Sequence, residues 1–243
     1  MLDEGSARTT PAGPGRLVAS SRMRTAIARQ MAASKRDVPH FYVSSEIAME
    51  NLLAAIRETA ARRPDGPRVT VTALLIHRLA ATLRAHPSFN ALATDEGYVQ
   101  VDAVNVGVAI ALDEGLIAPA ILDCGDADPV AIAGALEDLV GRARNGRLKA
   151  AELTGATFTL SNLGMFPVTQ FAAIVPPPQV GILAVGRATE RAVVVDGAIM
   201  IRTMMTATLA ADHRAVDGAQ AGRFMATFKE LVEDGSSART SRV

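Results

Sequence analysis

The chain has 243 residues, with 25 Lys and Arg against 25 Asp and Glu, 49% hydrophobic and 4% aromatic residues, and one cysteine. Balanced charge excludes a partner made of nucleic-acid backbone, which calls for a basic excess, and one cysteine excludes an internal disulfide or a cysteine zinc site. The apolar content supports a sizeable core, no charge-free run of about 18 apolar residues offers a membrane span, and the lone thiol fits a reducing, cytoplasmic compartment.

Residues 1–15 are rich in Gly, Pro, Ser and Thr and read as a disordered linker; they contain no apolar signal core. Residues 16–234 read as one domain, and 235–243 as a disordered polar tail. Within the domain, helical spacing covers 21–35, with Ser20 or Ser21 as cap. Pro39 then introduces a strand at 40–43. Two more helices cover 50–62 and 70–85, stopped by Pro64-Asp65-Gly66 and Pro87. The apolar runs 105–112 and 116–122 flank Asp113-Glu114-Gly115 and predict a hairpin. A helix over 128–146 opens on Asp128-Pro129 and closes on Arg142, Arg144 and Gly146. Strands are predicted at 157–161, 180–186, 192–195 and 198–209, and a last helix at 219–233. Helices come first, strands are joined by short turns, and clean βαβ units are few. That pattern predicts an α+β fold with a mixed, largely antiparallel sheet.

Four histidines are present. His77 lies in a helical apolar pattern and His86 at a helix end, where a histidine with satisfied ring nitrogens is structural. His213 differs, because it joins a long β-like run to a helix in Asp212-His213-Arg214-Ala215-Val216-Asp217-Gly218. It is either a cleft histidine or part of a plain capping turn, and Asp217 suits the N-cap of the next helix in both cases. Ser161 ends a strand before Asn162-Leu163-Gly164. Its hydroxyl either bonds the turn or donates to an oxyanion. No Gly-x-Ser-x-Gly elbow, phosphate loop or helical metal-ligand spacing occurs, so neither a hydrolase serine nor a metal is expected.

These stretches together resemble the catalytic domain of dihydrolipoamide acyltransferases of 2-oxo acid dehydrogenase complexes, such as that of pyruvate. The segment 212–218 resembles the family's Asp-His-Arg-x-x-Asp-Gly, and 161–166 its Ser-Asn-Leu-Gly-Met segment. Pro177-Pro178-Gln179 with the strand 181–186, Gly115-Leu116-Ile117-Ala118-Pro119, and the opening Arg24 to Ala28, Ser34-Lys35 and Val38-Pro39-His40-Phe41 follow in family order.

The resemblance implies a chloramphenicol acetyltransferase-like two-layer sandwich with helices on one face. It implies acyl transfer between a dihydrolipoyl thiol and coenzyme A, with His213 as general base, Ser161 stabilising the oxyanion and Asp217 supporting the histidine loop through Arg24. It implies a homotrimer that pairs His213 of one subunit with Ser161 of another. The lipoyl group would come from another domain or chain, and decarboxylase and dihydrolipoamide dehydrogenase components would be partners. No lipoyl module precedes the domain, and the polar tail departs from members that build 24-mer or 60-mer cores, which leads us to expect a trimer. The alternative is a free-standing acyltransferase of the same fold that serves an acyl carrier protein or another acceptor.

Overall fold

A computed structural model describes residues 16, 18–112 and 115–234. The expectations for 1–15, for the turn at 113–114 and for 235–243 lie outside the described residues. In chain order the elements are α1 (Arg22–Asp37), β1 (His40–Ala48), α2 (Glu50–Arg62), α3 (Val71–Ala85), β2 (Ala91–Thr94), β3 (Gly97–Gln100), β4 (Val106–Val108), β5 (Ile110–Leu112), β6 (Gly115–Ile117), β7 (Ala120–Ile121), α4 (Pro129–Arg144), α5 (Ala150–Thr154), β8 (Phe158–Asn162), β9 (Gly181–Val185), β10 (Thr189–Val195), β11 (Ala198–Asp212) and α6 (Gly218–Asp234).

Helix starts follow the caps in the sequence. Ser21 Oγ accepts from Arg24 N at 3.1 Å, and Thr70 Oγ1 accepts from Ala73 N at 3.2 Å. Asp128 Oδ1 accepts from both Val130 N and Ala131 N at 2.8 Å. Each such cap contributes about 1 kcal/mol.

The main sheet runs β1-β11-β9-β8-β4-β7, with β10 also paired to β11. The β4–β8 and β8–β9 pairings are parallel and the other four antiparallel. The longest strand, β11, has 15 residues and lies next to the edge strand β1; it holds β1 along one side and β9 and then β10 along the other. Strand side chains alternate between faces. Leu160, Leu183, Val185, Leu209 and Ala211 point into one core with Leu75, Leu79, Ile132, Phe224 and Phe228 of α3, α4 and α6. The opposite face therefore carries Thr159, Ser161, Ile182, Ala184, Thr208 and Ala210. Val175 is buried there against Ile182 and Ala210. It belongs to an irregular segment, 163–180, that bridges β8 and β9.

The α+β class, the mixed sheet and the hairpin around 113–114 match the expectation. Four helices cover one face, but α1 lies apart from them, fastened to the 163–180 segment on the other side. Ser34 Oγ donates to Val175 O at 2.6 Å, and Gln30 Nε2 donates to Pro177 O at 3.3 Å. β1 extends beyond the expected 40–43 to Ala48, because Ser44, Ser45 and Glu46 in an edge strand read as loop. The β2–β3 hairpin and α5 were not expected. The five residues of α5 are held from outside: Arg142 Nη1 and Nη2 donate to Glu152 at 2.6 and 2.7 Å.

Candidate active site

His213 sits in the turn where β11 hands over to α6, and the turn is tied down from several sides. His213 N donates to Pro39 O at 3.1 Å, while Ala215 N and Val216 N donate to Asp212 O at 3.1 Å. Asp212 is 1% exposed. Its carboxylate accepts from Arg214 N and Nε at 3.0 Å and from Nη2 at 2.7 Å. That pairing holds the Arg214 guanidinium above its ordinary pKa. The exposed His213 ring packs against Phe41 with centroids 4.7 Å apart. Its nitrogens stay uncommitted among the described residues, as a proton acceptor requires.

Ser161 lies near the end of β8 on the face away from the helices, between partners of close fit. Next to it, Asn162 Nδ2 donates to Thr72 Oγ1 at 3.0 Å, and Asn162 Oδ1 accepts from Gly164 N at 2.7 Å. Gly186 lets the following segment pass: a Cβ there would stand 2.1 Å from Thr169 O. The Ser161 hydroxyl is nearly buried and has no hydrogen-bond partner among the described residues. A fixed, uncommitted donor of this kind is what an oxyanion needs.

Register separates the two groups within one chain. Ser161 pairs with Ala184, and Ala184 with Thr208, whereas His213 follows five residues after Thr208. Two strand spacings of about 4.8 Å across and five residues of about 3.3 Å along put their Cα positions about 19 Å apart. A base and an oxyanion donor must both lie about 3 Å from the reacting atoms. One chain does not bring His213 and Ser161 to a common substrate.

Asp217 caps α6. Its Oδ1 accepts from Gln220 N at 2.7 Å, and Gln220 Oε1 accepts from Asp217 N at 2.9 Å. Among the described residues Arg24 makes no hydrogen bond or ion pair to Asp217. Arg24 lies exposed on α1, whose first turns pack toward the Gly115 hairpin, and within one chain the loop is held by Asp212 and Arg214. The role of Arg214 was not legible in the sequence, because the burial of Asp212 that calls for a cation is seen only in the fold.

His86 is structural, with Nε2 2.9 Å from Thr227 Oγ1. His77 departs from the expected satisfied histidine, because its Nδ1 is buried without a partner. Burial, then the Arg78 charge, hold its pKa down to about 4. Cys124 is buried and its thiol is pushed up to about 11, which leaves it protonated and inert as a nucleophile. No described helix is long and apolar enough to cross a membrane.

With this geometry in hand, three comparisons are informative. The chain is 36% identical over 233 residues to the dihydrolipoyllysine-residue acetyltransferase component of the pyruvate dehydrogenase complex of Zymomonas mobilis, covering 95% of this chain and 52% of that protein. The chain spans about half the length of the curated relatives it matches. Among solved structures, the cubic core of the pyruvate dehydrogenase multienzyme complex superposes with a TM-score of 0.87 at 29% identity, covering 92% of this chain and 93% of that one. Azotobacter vinelandii dihydrolipoamide acetyltransferase matches with a TM-score of 0.87 at 29% identity, covering 91% and 93%. It was studied for the role of a serine, a histidine and an asparagine in its catalytic mechanism. Fifty-two residues separate that serine from that histidine, and the asparagine follows four later, the same intervals as Ser161, His213 and Asp217. Chloramphenicol acetyltransferase shares the fold, with a TM-score of 0.52 at 15% identity over 85% of this chain and 93% of that one. The family model for 2-oxoacid dehydrogenases acyltransferase (catalytic domain) matches residues 13–238. The chain belongs to this acyltransferase catalytic-domain family.

Proposed function

We propose that the protein moves an acyl group between a dihydrolipoyl thiol and coenzyme A, in sites shared between subunits of a homotrimer. The observation that carries this is the pair of fixed, uncommitted groups, His213 and Ser161, at the interval found in the Azotobacter enzyme. A free thiol has a pKa of about 8.5 and reacts as its thiolate. His213 takes the proton from the attacking thiol. The thiolate adds to the thioester carbonyl, and the oxyanion accepts a hydrogen bond from Ser161. Collapse breaks the old carbon–sulfur bond, and the departing sulfur recovers the proton from His213. No acyl-enzyme is needed when both thiols meet at one base.

The separation of the two groups along the sheet supports a second copy as the source of the missing half. Asp217 supports the histidine from behind by fixing the start of α6, and Arg24 would reach it from another copy. The lipoyl group is supplied by another domain or chain. A cytoplasmic setting and decarboxylase and dihydrolipoamide dehydrogenase partners go with the same reading, and the cubic-core relative supports a multimeric core.

The test mixes two defective proteins. His213→Ala and Ser161→Ala should each lower transfer from acetyl-coenzyme A to dihydrolipoamide by about 100-fold or more. Co-expressed in equal amounts, they should assemble at random, so that about a quarter of all sites pair an intact histidine with an intact serine. Verified hybrids without recovered turnover would reject the shared site. A folded wild type without transfer would reject the reaction.

A further inference from the structure

Both ring nitrogens of His40, at the start of β1, are committed to the main chain. Nδ1 lies 2.8 Å from Val38 O, and Val175 N donates to Nε2 at 3.0 Å. A backbone N–H only donates, so Nε2 is the bare acceptor and Nδ1 carries the hydrogen. The contacts thus specify one neutral tautomer.

The bonds of Val175 show what this tautomer holds. Its carbonyl accepts from the Ser34 hydroxyl at 2.6 Å, so both of its main-chain groups are taken by side chains. Its own side chain is fully buried against Ile182 and Ala210. The 163–180 segment starts beside Ser161, where Leu163 N donates to Val185 O at 3.0 Å and Arg187 N to Val168 O at 2.8 Å. It ends beside His213, where Asp212 N donates to Val180 O at 2.9 Å. The segment joins the two ends of the sheet face that carries the reacting groups, and irregular stretches of this length are commonly functional. His40 itself stands opposite Asp212 in register, and the preceding Pro39 O receives His213 N.

We propose that His40 is a positioning residue for acyl transfer. As the Nδ1–H tautomer it fastens Val175, and so holds the 163–180 segment on the face of Ser161, while the same stretch of β1 braces the His213 turn. The kinetic part of this rests on the acyl-transfer reading above; the fastening itself does not.

Two substitutions separate the ring's acceptor from its bulk. In His40→Gln the side-chain oxygen reaches about as far as Nε2 and receives the Val175 N–H. In His40→Asn it reaches only as far as Nδ1. The readouts are amide hydrogen exchange at Val175, made without substrate, and kcat and KM for both thiols, with folding checked by thermal melting. His40→Asn should speed exchange at Val175 by about tenfold or more and lower kcat by a similar factor, with KM values within about twofold. His40→Gln should restore both to within about threefold of wild type. Unchanged exchange in His40→Asn would overturn the proposal, as would faster exchange with full turnover. Restored exchange without restored turnover in His40→Gln would overturn it too. An inactive wild type would sink the acyl-transfer reading, and the exchange comparison would then judge the fastening alone.

Discussion

At the scale of single residues, Asp212 and Arg214 are the neighbours on which the His213 turn depends. The acid is buried and the guanidinium is its main side-chain partner. Arg214→Ala leaves that carboxylate with only the backbone N–H of residue 214 and should cost about 2 kcal/mol of stability, read from denaturant unfolding, with a drop in kcat as the turn loosens. Asp212→Asn in the same background should recover part of the stability, and a further loss would contradict the pairing. His213, Ser161 and the cap at Asp217 were legible in the sequence because each sits in a short local motif. The place of α1 was not, since it is set by Ser34 and Gln30 against residues far along the chain. The bonds of His40 were hidden for the same reason, its acceptor role being defined by Val175.

At the scale of elements, local chemistry decided most helix boundaries, as Ser21, Thr70 and Asp128 show. What local chemistry left open was where tertiary contacts overrule it. α5 needs the distant Arg142, and β1 needs the register of β11 to be seen as a nine-residue strand. Within α3 the half-buried His77 is the cost of placing a titratable group on a packed helix. Its pKa of about 4 in the fold lies below its ordinary 6.5. The fold therefore favours the neutral ring: stability is full above pH 6.5 and is lost as the pH falls toward 4, because the unfolded chain takes up the proton first. Replacing it, His77→Leu, should flatten the decline in urea midpoint between pH 6.5 and pH 4. Parallel slopes for the two proteins would show that His77 does not govern that window.

At the scale of the whole molecule, the β10–β11 ribbon stands out from the sheet. Val194, Ile199 and Ile201 share one of its faces and are 73, 77 and 72% exposed. From Ala198 to Arg202 β11 is paired to β10 alone, which leaves one backbone edge open. Open apolar edges invite pairing with another chain, and an apolar ribbon of this kind suits a surface buried between subunits. If the proposed trimer buries this ribbon, Ile201→Glu should shift the protein toward monomer in sedimentation velocity and lower turnover in proportion. An unchanged trimer would place the interface elsewhere.

The pairing of β11 with β1, β9 and β10 also sets a timetable for making the protein. β1 is synthesised early, yet its partner runs from Met204 to Asp212, near the end of the chain. β9 likewise waits for the same strand. Until residue 212 has left the ribosome, His40 has no Asp212 opposite it and β1 has no strand to pair with. Closure over so long a stretch is slow, since the entropy of the loop must be overcome before the contacts form. A nascent chain halted before β11 thus carries α1 to α5 and the parallel strands, but neither α6 nor anything to join them to the first strand, and its exposed apolar surface calls for chaperones.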